Sequence, residues 1–180
     1  MAASALALAA LRFPLHQAGP QPAHTGGFGE PTCHACHFDY PLNQEPRAVI
    51  RLDSLPAQFR AGRMYRLQLS VQHSELKRGG FQLSARFDDG SAAGTFVIAD
   101  TNQVRVQQAG GIDYLSHTSA SSDRAAGDMI AWVIDWVAPA ASRRVVFHVA
   151  ANVANADASE FGDRIFSAAF YSDPTASDGK

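Results

Sequence analysis

From residue 48 onward the chain alternates apolar and polar side chains in short runs, each closed by turn residues. Met64–His73 is the cleanest. Tyr65, Leu67, Leu69, Val71 and His73 share one face, and Arg66, Gln68, Ser70 and Gln72 the other, which is the two-residue period of a β-strand. Phe81–Phe87 repeats it, with Phe81, Leu83, Ala85 and Phe87 predicted inward and Gln82, Ser84 and Arg86 outward. Gly79-Gly80 and Asp88-Asp89-Gly90 read as the turns that bracket it. Ile130–Val137 places Trp132, Ile134 and Trp136 together and stops before Pro139, and both tryptophans are expected in the core. In Val145–Ala151, Val145, Phe147, Val149 and Ala151 oppose Val146, His148 and Ala150. Shorter strands are predicted at Ala48–Leu52, Thr95–Ile98, Val104–Gln107, Tyr114–His117 and Arg164–Phe170. No segment holds a 3.6-residue period beyond two turns, so the prediction is all-β, an antiparallel β-sandwich.

Residues 16–46 break this texture. Prolines at 20, 22, 31, 41 and 46 and glycines at 26, 27 and 29 exclude a long helix there. Ahead of it, residues 4–11 (SALALAAL) resemble the apolar region of a secretory signal, without a preceding Lys or Arg. The run is too short to span a bilayer as a helix, which needs about 20 residues. The expected organisation is a leader or signal-like segment over 1–22, a cofactor-attachment segment over 23–46, a sandwich over 47–172 and a flexible tail over 173–180.

Composition changes this picture little. The 180 residues are 46% hydrophobic and 18% charged, ordinary for a globular domain. A formal net charge of −2, with the basic residues scattered, gives no electrostatic case for nucleic acid. Only two cysteines occur, so no disulfide framework supports the fold from elsewhere.

Both cysteines fall in Cys33-His34-Ala35-Cys36-His37. Cys-x-x-Cys-His is the attachment motif of a c-type haem: two thioethers to the porphyrin vinyls, and an axial ligand from the following histidine. The same dithiol spacing also serves zinc, thiol redox chemistry or an inert pair. A zinc ribbon would need a second ligand pair, and no further cysteine exists. A thioredoxin-like site belongs at a strand–helix junction of a parallel α/β fold, which the pattern does not suggest.

Several stretches, in order along the chain, resemble the bacterial Reeler-like domains of the choice-of-anchor V type: residues 26–37 (GGFGEPTCHACH), 80–87 (GFQLSARF), 93–96 (AGTF), 114–120 (YLSHTSA), the Trp132, Trp136 and Pro139 pattern, and 145–163. The resemblance implies an immunoglobulin-like sandwich outside the cytoplasm. Many bacterial members carry Cys-x-x-Cys-His just before the sandwich, which implies one covalent haem c on Cys33 and Cys36, with His37 as proximal iron ligand. The pattern departs at the ends, where no sorting tail or membrane anchor is seen. Reeler domains of animal proteins act as interaction modules without haem.

The leading expectation is therefore a mono-haem cytochrome of the periplasm or extracellular space. It would be an electron carrier rather than an enzyme, serving a redox partner protein or a membrane redox complex without a membrane span of its own. His117 and His73 are the candidate distal ligands, His117 ahead as the second metal ligand, with His148, Met64 and Met129 behind. His24 could approach the haem edge if its segment is ordered, and His34 should face solvent. Two alternatives stand beside this: a non-redox extracellular binding or adhesion module, and a haem sensor or small haem enzyme with an open distal site. Asp157, Glu160 and Asp163, with Asn152 and Asn155, could bind calcium, but read better as an ordinary polar loop.

Overall fold

The structure is a computed structural model that describes residues 19–123 and 125–176. Most of the expected leader, and the last four residues of the expected tail, lie outside the described residues. Ten strands form: β1 (Val49–Asp53), β2 (Gln58–Phe59), β3 (Met64–Gln72), β4 (Arg78–Arg86), β5 (Thr95–Val97), β6 (Val104–Ala109), β7 (Ile112–His117), β8 (Met129–Val137), β9 (Val145–Ala154) and β10 (Arg164–Pro174). A one-turn helix, α1 (Ser119–Ser122), follows β7. All nine predicted strands are present. The addition is β2, two residues long and so too short to show alternation. The predicted sandwich boundary at 172 falls inside β10, which runs on to Pro174 because its end pairs with β2.

Two sheets pack face to face, in the orders β1-β3-β8-β5 and β2-β10-β9-β4-β7-β6. Every pairing is antiparallel except β2 with β10. The chain is thus an all-β sandwich. Its core is built from the inward faces the alternation marks: Leu67, Leu69 and Val71 of β3, Trp132, Ile134 and Trp136 of β8, Phe81 and Leu83 of β4, Phe147 and Val149 of β9. Both indoles are buried with their N–H groups satisfied, Trp132 Nε1 donating to Ser121 Oγ at 3.1 Å and Trp136 Nε1 to the Ala93 carbonyl at 3.1 Å. They belong to the core, as expected.

Two departures bear on the site. Gly79-Gly80 is not a turn: both residues lie within β4, opposite Val153 and Asn152 of β9. The reason is crowding on both faces. A Cβ on Gly79 would meet Ile130 Cγ2 at 2.6 Å, and one on Gly80 would meet His117 Cε1 at 2.6 Å. The second departure is the outer face of β4. Gln82, Ser84 and Arg86, predicted outward, are 0%, 0% and 5% exposed.

The irregular segment covers that face as a third layer. Gln82 Oε1 accepts the His24 amide at 2.5 Å, and its Nε2 donates to the Gln21 carbonyl at 2.8 Å. Glu30 pairs with Arg86, and further along Asn43 exchanges hydrogen bonds with β10 through Ser167 N (2.8 Å) and the Ile165 carbonyl (2.9 Å). Gln82 and Arg86 on this outer face can be buried because each meets a polar partner from the covering segment, whereas the Ser84 hydroxyl is buried without one among the described residues.

Candidate functional site

The covering segment turns sharply at the cysteine motif. Cys33–Ala35 forms a single 3-10 turn, started by Thr32, whose Oγ1 accepts the His34 amide at 3.1 Å. The Cys33 carbonyl then takes the amides of Cys36 (3.2 Å) and His37 (3.0 Å). This turn packs on β9 and β10. Between it and the sandwich lies a cavity of about 290 Å³, lined by Cys33, Cys36 and His37 from the turn and by Gly79, Gly80 and His117 from the sheet. His24, Arg78, Asn152 and Asp163 add to its polar lining.

Each of these groups has a definable state. Asp163 is 2% exposed and accepts from Asn152 Nδ2 (3.0 Å) and the Asn155 amide (3.1 Å). Its Oδ2 also stands 2.9 Å from His37 Nδ1, close enough for attraction but without hydrogen-bond alignment. Asn152 Oδ1 is buried with no donor among the described residues. His117 Nδ1 lies against the Phe81 backbone, 2.9 Å from its amide and 3.2 Å from its carbonyl, which leaves Nε2 on the side away from that strand. Burial pushes this imidazole down to about 4, against the opposing effect of its bond to Phe81, while Arg105 and Arg78 lower it further. Burial likewise pushes the Cys33 thiol up to about 12, with a smaller contribution from Cys36. Cys36 is exposed, and both cysteines are free thiols.

Of the residues singled out in the sequence, Cys33, Cys36, His37 and His117 converge on this cavity, and His24 joins them. His73 does not. It is buried elsewhere, its Nδ1 accepting the Glu75 amide at 3.1 Å and its Nε2 donating to the Pro46 carbonyl at 3.0 Å, against the Phe166 ring. His148 packs edge-on to Phe28 at 5.3 Å, and Met64 and Met129 are exposed. His34 Nε2 lies 3.0 Å from the Tyr40 carbonyl and is only partly exposed. The loop with Asp157 is closed on itself, Asp157 accepting from Ser159 N (2.9 Å), Ser159 Oγ (2.8 Å) and Asn155 Nδ2 (3.1 Å), as an ordinary polar loop does. Gly79 and Gly80 carried no signal as site residues, and Asn152 was read only with the Asp157 loop. A paired glycine inside an otherwise alternating strand was the available clue.

The overall fold is similar to that of a solved structure, the Reelin-N domain of F-spondin. It has a TM-score of 0.54 at 18% identity, covering 78% of this chain and 96% of that one. The fold is Reeler-like. A human F-spondin reeler domain aligns with a TM-score of 0.48 at 18% identity over 69% of this chain and 88% of that one. A non-cellulosomal cohesin from the archaeon Archaeoglobus fulgidus aligns at 0.38, with 9% identity over 67% and 89%. No protein-family model and no curated protein sequence matches the chain. Among the described residues no helix is long and apolar enough to cross a membrane.

These findings overturn the haem c assignment, with the cytochrome and electron-carrier role built on it. The fold is that of a Reeler domain. Among the described residues no group of three or more His, Cys, Asp and Glu is placed to hold a metal ion. His73, one of the two candidate distal ligands, also has both ring nitrogens taken, by the Glu75 amide and the Pro46 carbonyl. The expected redox partner falls with the haem. Cys33, Cys36, His37 and His117 remain as the lining of one cavity.

Proposed function

We propose that the chain is a non-redox binding module that acts outside the cytoplasm, in the periplasm or at the cell surface. Its recognition site is the cavity between the Cys33–Ala35 turn and the sandwich. The cavity itself carries this reading. At about 290 Å³ it is near the lower end of the size range of small-ligand pockets. Two of its polar atoms stand ready for an occupant: Asn152 Oδ1 as acceptor and Nε2 of His117, whose other ring nitrogen is taken by the Phe81 backbone. A buried carbonyl oxygen without a donor costs about 1–3 kcal/mol, which a bound donor relieves. Residues 23–46 supply one wall and the sandwich the other, so the two work as one unit. The Reeler-like fold supports the same reading, since it is one used for interaction.

The test is a titration of the full chain, followed by amide NMR, with a small aromatic amphiphile such as anilinonaphthalene sulfonate. Saturable shifts are expected at Gly79, Gly80 and His117, and Ala154→Trp, which fills the cavity, should abolish them. Shifts confined to other surfaces, or no saturation, would remove the cavity as the binding site. A haem absorption band in protein purified from its native cells would overturn the non-redox half of the reading.

A further inference from the structure

Cys33 and Cys36 are given no task by the binding reading, although both line the cavity. They are the two cysteines of the chain, three residues apart. The 3-10 turn Cys33–Ala35 ends on Cys36 as its C-cap, with the Cys36 amide on the Cys33 carbonyl at 3.2 Å. A 3-10 helix turns once every three residues and rises about 2 Å per residue, so positions i and i+3 eclipse with Cα atoms about 6 Å apart. That separation falls inside the roughly 4.4–6.8 Å a disulfide spans. Cys36 is exposed, while Cys33 is only partly so.

We propose that Cys33 and Cys36 form a thiol–disulfide exchange site, a dithiol that closes reversibly to a Cys33–Cys36 disulfide against a small disulfide oxidant. The exposed Cys36 reacts first. Its thiolate attacks one sulfur of oxidised glutathione and expels a glutathione thiolate, leaving a mixed disulfide on Cys36. Cys33, whose buried thiol gives its proton to solvent only slowly, then attacks the Cys36 sulfur as the thiolate and expels the second glutathione, which makes this the slow step. The two cysteines lose two electrons and two protons, and one oxidised glutathione becomes two reduced ones. A ring closed around two intervening residues removes little chain entropy. Such a bond serves chemistry rather than stability, and belongs with the labile disulfides that respond to their surroundings. The inference holds whatever the cavity binds, and it narrows the non-redox reading to the absence of haem-borne electron transfer.

The full chain is equilibrated in buffers of rising oxidised-to-reduced glutathione ratio, quenched in acid, alkylated with N-ethylmaleimide and weighed intact. Alkylatable thiols should fall from two to none with no glutathione retained, and dithiothreitol should restore both. Cys33→Ser should instead trap a glutathione adduct on Cys36. The proposal is overturned if both thiols stay alkylatable at every ratio. It is overturned equally if the wild-type chain keeps as much adduct as Cys33→Ser, because Cys33 then does not reach its partner. A disulfide-linked dimer in place of the internal bond has the same consequence. The wild-type measurement decides alone should the variant fail to fold.

Discussion

Removing the charge of Glu30 while keeping its shape tests whether the covering layer is integral to the fold. Glu30 accepts from Thr25 Oγ1 (2.6 Å) and Tyr114 O–H (2.6 Å), and pairs with Arg86. Its side chain is 11% exposed and that of Arg86 6%, so solvent screens the pair little. The guanidinium also stacks between Phe28 (5.1 Å) and Tyr114 (5.3 Å). Glu30→Gln leaves that cation buried and uncompensated, which costs about 3 kcal/mol, the low end for breaking a buried pair. In a chain of this size each kcal/mol moves Tm by about 2–4 °C, so Tm should fall by about 6–12 °C in a far-UV circular dichroism melt. Arg86→Met should cost less, because Thr25 and Tyr114 still hydrogen-bond the carboxylate. The double variant should recover about 2 kcal/mol relative to the sum of the singles. Acid supplies an independent check. Burial raises the Glu30 carboxyl, but the hydrogen bonds from Thr25, Tyr114 and Arg86 outweigh it and hold it below its ordinary value. A carboxyl depressed on folding contributes stability above the unfolded pKa and loses it as pH falls through the folded one, so the acid limb should flatten in Glu30→Gln. A loss under about 1 kcal/mol, or strict additivity in the double variant, would show that the layer is not clamped here.

Three further outcomes follow from the same contacts. Gly80→Ala drives a methyl against His117 at 2.6 Å and should cost about 1–3 kcal/mol in urea unfolding, with the His117 side-chain resonances displaced. Ser121→Ala strips the buried Trp132 N–H of its acceptor, a loss of about 1–3 kcal/mol, with a changed near-ultraviolet dichroism band. His117, with its folded pKa pushed down to about 4, contributes stability in full above the unfolded value near 6.5. As pH falls from there toward 4 the unfolded chain binds the proton first, so up to about 3 kcal/mol is lost. His117→Leu should abolish that slope between pH 4 and 6.5, and an unchanged slope would show that the ring is not held neutral.

The sandwich was legible because its alternation is enforced by burial on one face. Tyr65 to His73 and Trp132 to Trp136 have only one way to hide their apolar side chains, and β3 and β8 pair in the register that does so. The outer face of β4 was not legible, because whether Gln82, Ser84 and Arg86 meet water or protein depends on Gln21, His24 and Glu30, some 56 to 61 residues earlier in a stretch without any period. Gly79-Gly80 failed for a related reason: glycine marks a turn or a close approach with the same letter, and only Ile130 and the ring of His117 decide between them. The cysteine motif shows the opposite error. Its spacing names a chemistry from local sequence alone, while the side chains that answer to it come from β4, β7 and β9 and have partners of their own. What the cavity holds depends on single polar atoms, such as Nδ1 of His117 against the Phe81 backbone and Oδ1 of Asn152 with no donor among the described residues, and no pattern of residue types encodes those placements.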